Sequence, residues 1–147
     1  MSDLTSIFPR LTDQNYRTTS PATASYNCIA WAAQDSERWW WPDAFGLYYW
    51  PMNALRTESL EAFEQAYAEL GYEVCENGVF ENNFEKVALY ADKFGSPTHA
   101  ARQLLNGRWT SKCGQLEDIE HELNALTGQS YGNVSRYMKR PQSNMSS

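Results

Sequence analysis

The 147-residue chain has little positive charge, few cysteines and no long hydrophobic run. It contains 12 Lys and Arg against 18 Asp and Glu, a net charge of −6, and no basic stripe interleaved with aromatic residues. A surface of this sign repels phosphates, which argues against nucleic-acid binding. A membrane-spanning helix needs about 18 consecutive apolar residues, and no stretch of this sequence comes near that number. This argues against a membrane protein.

Three cysteines, Cys28, Cys75 and Cys113, are an odd number without the paired spacing of a zinc site. The N-terminus has no cationic stretch followed by an apolar run, so no secretory signal is predicted. We therefore expect free thiols in a cytoplasmic protein, although a protein exported without a signal peptide would have the same features. Neither a metal nor an organic cofactor is predicted.

The chain has the length of one domain, and its six Trp, nine Tyr and six Phe are ample for a core. We predict a single domain over residues 1–140 and a disordered tail over residues 141–147. Residues 1–22 contain two prolines and many Ser and Thr, and we expect them to be irregular.

Two helices are predicted in the first half of the chain. The first begins near Cys28 and runs to Arg38. The second begins after an N-cap at Thr57 and ends at Gly71. Its apolar stripe consists of Leu60, Phe63, Tyr67 and Leu70.

The second half of the chain is predicted to be mostly strand. The predicted strands are 72–75, 85–91, 99–104, 108–113 and 131–138. Asn106-Gly107 joins the third and fourth of these as a hairpin. The spacing of Leu and Ile over 116–126 predicts a short amphipathic helix, with His121 on its solvated side. Helices followed by an antiparallel sheet predict an α+β fold.

Cys28 and His99 are the strongest candidates for chemistry. Cys28 stands at the predicted start of a helix, where unpaired backbone N–H groups and the helix dipole favour a thiolate. His99, on a predicted strand, would accept the proton of the thiol. Each residue also has an ordinary interpretation, because a free Cys is usually packed in a core and a sheet His is often only hydrogen-bonded.

The segment Asn27-Cys28-Ile29-Ala30-Trp31, then His99 on a strand, a Gly turn and a second strand, resembles the papain-like fold. The resemblance covers residues 23–115 and is closest to the bacterial NlpC/P60-type and CHAP-type amidases. The chain is also similar to a family of uncharacterised small bacterial proteins with Tyr-Asn-Cys-Ile-Ala-Trp-Ala and Trp-Thr-Ser-Lys motifs. The papain-like resemblance implies N-terminal helices packed on an antiparallel sheet, and a cysteine peptidase or amidase activity.

The same resemblance implies a role for each matching residue. Cys28 would be the nucleophile, His99 the general base, and Ser111 the residue that orients the imidazole. Those enzymes usually have His, Asn, Asp or Gln at the third position, so Ser111 departs from their pattern. The backbone N–H of Cys28 and the hydroxyl of Tyr26 would form the oxyanion hole.

The length of the hairpin loop decides whether Ser111 reaches His99. With a two-residue loop, the residues on either side of Ser111 in the sequence would share the sheet face of His99, and Ser111 would point the other way. With a three-residue loop over 105–107, Ser111 and Trp109 share that face. We predict the three-residue loop, because it turns Trp109 inward and leaves Arg102 and Lys112 facing water.

Further side chains are candidates for the site. Gln103 shares the face of His99 in either register and is a second orienting candidate. Trp31, Trp41 and Trp109 are candidate substrate-binding residues. The aromatic loop over 39–50 either stacks on a sugar or peptide or caps the Cys28 cleft, or else it covers the core, and we favour the last interpretation.

Two functions remain open. One is a thiol hydrolase that cleaves a peptide or amide bond with Cys28 and His99. The other is a non-catalytic binding or immunity-type protein on the same fold, which would engage a basic protein partner through its acidic surface.

Overall fold

The computed structural model describes residues 8, 10–12, 15–20, 25–112, 118–127 and 131–142. Its two helices are α1 (Cys28–Ala32) and α2 (Leu60–Ala68). Its strands are β1 (Tyr16–Ser20), β2 (Glu73–Cys75), β3 (Phe84–Ala91), β4 (Pro97–Gln103), β5 (Trp109–Lys112), β6 (Asp118–His121) and β7 (Asn133–Pro141). A 3₁₀ turn covers Leu123–Leu126.

The seven strands form one antiparallel sheet in the order β1-β6-β5-β4-β3-β7-β2. Alternate residues of β3 enter two different apolar clusters. Val87 and Leu89 pack in the cluster that contains both helices, and Ala88 and Tyr90 pack in the cluster that contains Trp109. Both faces of the centre of the sheet are therefore buried.

The predicted α+β, papain-like fold class is wrong. The described residues are mostly β, with a seven-stranded antiparallel sheet and two short helices. The described part of the helix predicted over 116–126 is β6 and the 3₁₀ turn. All four residues of β6 are buried, and Ile119 lies in the sheet opposite Ser111. The spacing of Leu and Ile was compatible with a helix, but residues 118–121 pair with β1 on one side and β5 on the other, and this pairing makes them a strand.

The N-terminal half differs from the prediction in two further places. Residues 16–20, expected to be irregular, are β1, which pairs with β6. The first helix ends at Ala32 instead of Arg38. Gln34 takes a left-handed φ of 67°, and the carboxylate of Asp35 accepts the backbone N–H of Glu37 and of Arg38. This local turn competes with the helix and ends it.

The second helix was predicted more closely than the first, and the predicted tail begins inside a strand. The N-cap of α2 is Ser59, whose hydroxyl accepts the N–H of Ala62 at 3.2 Å, and not Thr57. β7 runs to Pro141, and residues 143–147 of the predicted tail lie outside the described residues. The single domain over 1–140 stays a prediction. In the described residues, no helix is both long and apolar enough to cross a membrane.

Candidate functional site

The β4–β5 hairpin fixes the position of Ser111. Gln103 lies opposite Trp109, and Gly107 takes a φ of +86° at the end of the loop. This is the register predicted with the three-residue loop, and the prediction is confirmed. It places Ser111 on the face of His99, with 2.9 Å between His99 Nε2 and Ser111 Oγ.

A second histidine extends this contact. Ser111 Oγ lies 2.7 Å from His121 Nε2, and His121 Nδ1 lies 2.7 Å from the carbonyl oxygen of Glu122. His99, Ser111 and His121 are all completely buried. The prediction that His121 is solvated is wrong, because it lies on β6 and faces the sheet interior. No local pattern in the sequence signals this position, because it depends on pairing with β1.

His99, Ser111 and His121 form a relay of hydrogen bonds that ends at the carbonyl oxygen of Glu122. This last acceptor determines the direction of every hydrogen bond in the relay. A carbonyl oxygen only accepts, so His121 Nδ1 carries the proton and Nε2 is an acceptor. Ser111 donates its single proton to that nitrogen and accepts the N–H of His99 Nε2. His99 Nδ1 is then without a proton, and it is buried without a hydrogen-bond partner among the described residues.

Aromatic rings enclose His99. The ring of Tyr131 stacks on it with 4.1 Å between centroids and 8° between planes, and Tyr90 meets it edge-on at 5.1 Å. Burial, and then the nearby His121, lower the pKa of His99 well below its ordinary value. Burial lowers the pKa of His121 to about 4. Both imidazoles are therefore neutral at pH 7.

The two imidazoles make the stability of the fold depend on pH. They are the only histidines in the chain. The pKa values of both histidines in the folded state lie below the value of about 6.5 in the unfolded state. Below about pH 6.5 the unfolded state therefore binds protons that the folded state does not, and the free energy of unfolding falls. We expect the free energy of unfolding to fall by about 2–3 kcal/mol from pH 7.5 to pH 5.5.

Urea unfolding at the two pH values measures this loss. In the His121→Gln variant, about half of the pH dependence should disappear, because one titrating group is removed. Equal stability of the wild-type protein at pH 7.5 and pH 5.5 would contradict the buried, neutral pair.

Cys28 is the first residue of α1 and is buried. Asn27 caps the helix by accepting the N–H of Ala30 at 3.1 Å. Burial raises the pKa of the Cys28 thiol to about 11, although the backbone N–H groups of Ala100 and Ile29 donate to the sulfur and lower it. The resting form is therefore a neutral thiol. Both Cys28 and the ring of His99 are described, and no hydrogen bond joins them.

Cys28 and His99 pack on opposite faces of β4, and their surroundings are connected through Ala100 and Tyr131. Ala100, whose N–H reaches the sulfur, directly follows His99 on β4. Cys28 opens on a pocket of about 330 Å³, and Tyr131, which stacks on His99, lines the same pocket. The complete lining is Asn27, Cys28, Trp39, Trp41, Tyr48, Thr98 and Tyr131.

The structure places the three predicted substrate-binding tryptophans differently. Trp41 lines the Cys28 pocket. Trp31 donates its indole N–H to Thr110 at 2.9 Å and is half-buried. Trp109 is 3% exposed and packs in the core. The aromatic loop does both of the things considered above, because its residues Trp40 and Trp50 fill the core while other members line the pocket.

Two predicted polar groups are directed elsewhere. The hydroxyl of Tyr26 donates to Asp118 Oδ2 at 2.5 Å, and burial and this carboxylate raise the pKa of Tyr26 to about 12. The amide nitrogen of Gln103 donates to the carbonyl oxygen of Gly78 at 2.8 Å. The structure does not bring these two groups to Cys28 and His99.

Lys112 is a functional candidate that sequence reasoning missed. It was predicted to face water, and that prediction is wrong because the side chain is completely buried. Its ammonium lies 5.6 Å from the centre of the Tyr26 ring, and its charge lowers the pKa of Cys28 against the larger effect of burial. Cys75 is a half-buried free thiol, and Cys113 lies outside the described residues.

Residues 17–139 match the family model described as Domain of unknown function (DUF7689). No curated protein and no solved structure gives a significant match to the chain. The matching family and the mostly β architecture overturn the resemblance to the papain-like, NlpC/P60-type and CHAP-type enzymes. The match covers most of the chain and brings no activity with it.

Proposed function

We propose that this protein, which belongs to the DUF7689 family, is a thiol hydrolase that cleaves a peptide or amide bond. In this proposal Cys28 is the nucleophile and His99 Nδ1 is the base. Ser111 and His121 hold the base in one tautomer. The proposal rests on the chain's own residues and not on a papain-like fold.

The observation that carries the proposal is that His99 Nδ1 is buried without a hydrogen-bond partner among the described residues. Buried polar atoms are nearly always hydrogen-bonded, and an unpaired one costs about 1–3 kcal/mol. The relay through Ser111 and His121 leaves this nitrogen as a free acceptor. The His99 ring packs on the face of β4 opposite to the one that packs against Cys28, and Tyr131, which stacks on the ring, also lines the Cys28 pocket. A lone pair fixed in this way is what removal of a thiol proton requires.

The proposed reaction needs no ion pair at rest. As substrate binds, the S–H bond of Cys28 breaks, its proton passes to His99 Nδ1, and the sulfur forms a bond to the carbonyl carbon. His99 then gives the proton to the leaving amine as the C–N bond breaks. A water molecule hydrolyses the thioester, giving one proton to His99, which returns it to the sulfur. Because Cys28 and His99 pack on opposite faces of β4, the proposal requires the ring and the thiol to meet beside Tyr131, at the pocket, when substrate binds.

The pocket suggests what the substrate offers to the thiol. Trp39, Trp41, Tyr48 and Tyr131 give it an aromatic lining, which suits an apolar acyl group. The backbone N–H of Cys28 is the proposed oxyanion donor, and the buried charge of Lys112 favours the anionic sulfur. We also place the protein in the cytoplasm, because Cys28 and Cys75 are free thiols, as is usual in a reducing compartment.

Formation of an acyl-enzyme tests the proposal. With p-nitrophenyl acetate we expect a burst of p-nitrophenol and an acetyl group on Cys28, detected by intact-mass and peptide mass spectrometry. The Cys28→Ala variant should lose both signals. The His99→Gln variant should acylate about 10²–10⁴-fold more slowly. The matched control is Cys75→Ser, which removes the half-buried thiol and should keep the full burst.

A non-catalytic binding protein is the second candidate, and two observations favour it. Burial keeps the Cys28 thiol neutral with a pKa of about 11. The aromatic loop and the segment after it also expose apolar side chains to solvent: Phe45 at 87%, Leu47 at 77% and Met52 at 95%. If the acetyl group is distributed equally between Cys28 and Cys75, or if no burst occurs, the hydrolase proposal fails and this second function takes its place.

A further inference from the structure

A second pocket lies at the C-terminal end of α1. It has a volume of about 460 Å³, within the range of small-molecule sites, and it shares no lining residue with the Cys28 pocket. Its lining consists of Gln34, Phe80, Phe84, Glu85, Arg102, Gln103, Leu104, Leu105 and Gln142. The pocket therefore combines one arginine, one carboxylate, three amides and an apolar wall.

Arg102 is the unusual member of this lining. The guanidinium forms no hydrogen bond and no ion pair in the described part of the chain, and its Nε is buried without a partner. Burial lowers the pKa of Arg102, but an arginine remains charged at neutral pH. The ring of Trp31, 5.7 Å from the guanidinium carbon, is a weak substitute for an anion.

The only carboxylate in the lining is already engaged. Glu85 accepts the Nε–H of Arg140 at 2.8 Å, and the amide of Gln34 reaches the same oxygen at 3.5 Å. Arg102 and Arg140 together with Glu85 leave one positive charge without a counter-charge. A half-buried cation of this kind is costly unless an anion joins it.

The backbone of Gln34 points to the same place. Its φ of 67° is the left-handed conformation that ends a helix and that glycine adopts without strain. A glutamine there carries a conformational cost but puts an amide beside Glu85 in the pocket. Strained backbone of this kind clusters at ligand-binding and active sites.

We propose that this pocket binds a small organic carboxylate, held by the guanidinium of Arg102. The planar fork of an arginine matches a carboxylate, and one unpaired positive charge matches one negative charge. Glu85 repels a second negative charge, which selects against phosphate. The amides of Gln34 and Gln142 offer hydrogen bonds, and Phe84 and the neighbouring apolar residues accommodate a hydrocarbon group.

Titration of the full-length protein with sodium acetate, sodium benzoate and inorganic phosphate at constant ionic strength tests this site. The readout is the Nε–H signal of Arg102 in a ¹H–¹⁵N spectrum, because this buried group has no partner to mask a new hydrogen bond. We expect benzoate to shift the signal saturably and to raise Tm by about 3–5 °C at ten times its Kd. Phosphate should do neither.

Two variants distinguish a ligand site from a structural arginine. Arg102→Leu should abolish the rise in Tm but leave the unliganded Tm unchanged or higher, because an uncompensated charge is removed. Arg102→Lys keeps the charge without the fork and should bind about tenfold more weakly. The matched control, Arg136→Leu, removes an arginine that pairs with Glu64 on the surface and should retain the full effect.

The proposal is overturned if neither carboxylate shifts the Arg102 signal, if phosphate shifts it more than benzoate does, or if Arg102→Leu retains the rise in Tm. None of these results depends on whether Cys28 is a nucleophile. The two proposals therefore stand or fall separately.

Discussion

Replacing Ser111 by alanine should slow acylation of Cys28 by about 10²–10⁴-fold, the usual contribution of a positioned acid–base residue. The hydroxyl of Ser111 joins His99 to His121 at 2.9 Å and 2.7 Å. Without it, the proton of His99 is free to move to Nδ1, and the nitrogen that must accept the thiol proton becomes a donor. The base would then be in the wrong tautomer.

The same substitution has a stability effect that must be separated from the kinetic one. Two buried imidazole nitrogens lose their partner, so we expect the free energy of unfolding to fall by about 2–4 kcal/mol. The acylation rate with p-nitrophenyl acetate is therefore measured well below the transition temperature. The ¹⁵N chemical shifts of the His99 ring report the tautomer directly, and a purely structural role of Ser111 would leave them unchanged.

Thr110→Ala is the matched control for Ser111→Ala. Thr110 is the preceding residue of β5, is also buried, and accepts a hydrogen bond from the Trp31 indole at 2.9 Å. It points to the other face of the strand, so its loss should destabilise the fold without changing the His99 tautomer. Equal acylation rates for the wild-type protein and Ser111→Ala, or equal losses for the two variants, would remove Ser111 from the mechanism.

The parts of the fold that could be predicted are those with local determinants. The Asn106-Gly107 turn fixes the β4–β5 register within a few residues, so the contact between His99 and Ser111 followed from the sequence. The β1–β6 pair joins residues about a hundred positions apart, and no local pattern indicates it. Without that partner, the segment containing β6 was assigned to a helix.

The same error hid half of the site. His121 stands among acidic residues, which in a helix would be a solvated face. In the sheet, Tyr16 lies opposite it, and Arg17 pairs with the neighbouring Glu120 at 3.0 Å. Arg17 neutralises the acid, and the β1–β6 pair places Tyr16 opposite His121. Burial of this kind arises from tertiary contacts, so residue types and spacing identified Cys28 and missed His121.

Gly132→Ala should have the largest effect on stability of any glycine substitution in the described part of the chain. Gly132 has a φ of +77°, and a Cβ added there would lie 2.0 Å from the carbonyl oxygen of Ala91 and 2.9 Å from the Cα of Asp92. Backbone atoms of a central strand do not yield as a flexible side chain does. We expect a loss of about 4–5 kcal/mol, equivalent to a fall in Tm of about 10–20 °C.

Gly46→Ala separates the steric effect from the conformational one. Gly46 has a similar φ of +70°, but an added Cβ would meet nothing within 4 Å. Its substitution should therefore cost only the left-handed backbone strain, about 1 kcal/mol. Thermal unfolding compares the two variants directly. If both substitutions lower Tm equally, the close contact between Gly132 and Ala91 does not contribute to the effect.

The position of Gly132 also connects this constraint to the chemistry. The preceding residue, Tyr131, stacks on His99, lines the Cys28 pocket and accepts the hydroxyl hydrogen of Thr98 through its carbonyl oxygen. Moving residue 132 away from β3 would draw Tyr131 away from the imidazole. Gly132→Ala should therefore lower the acylation rate even at temperatures where the protein is folded, whereas Gly46→Ala should leave it unchanged.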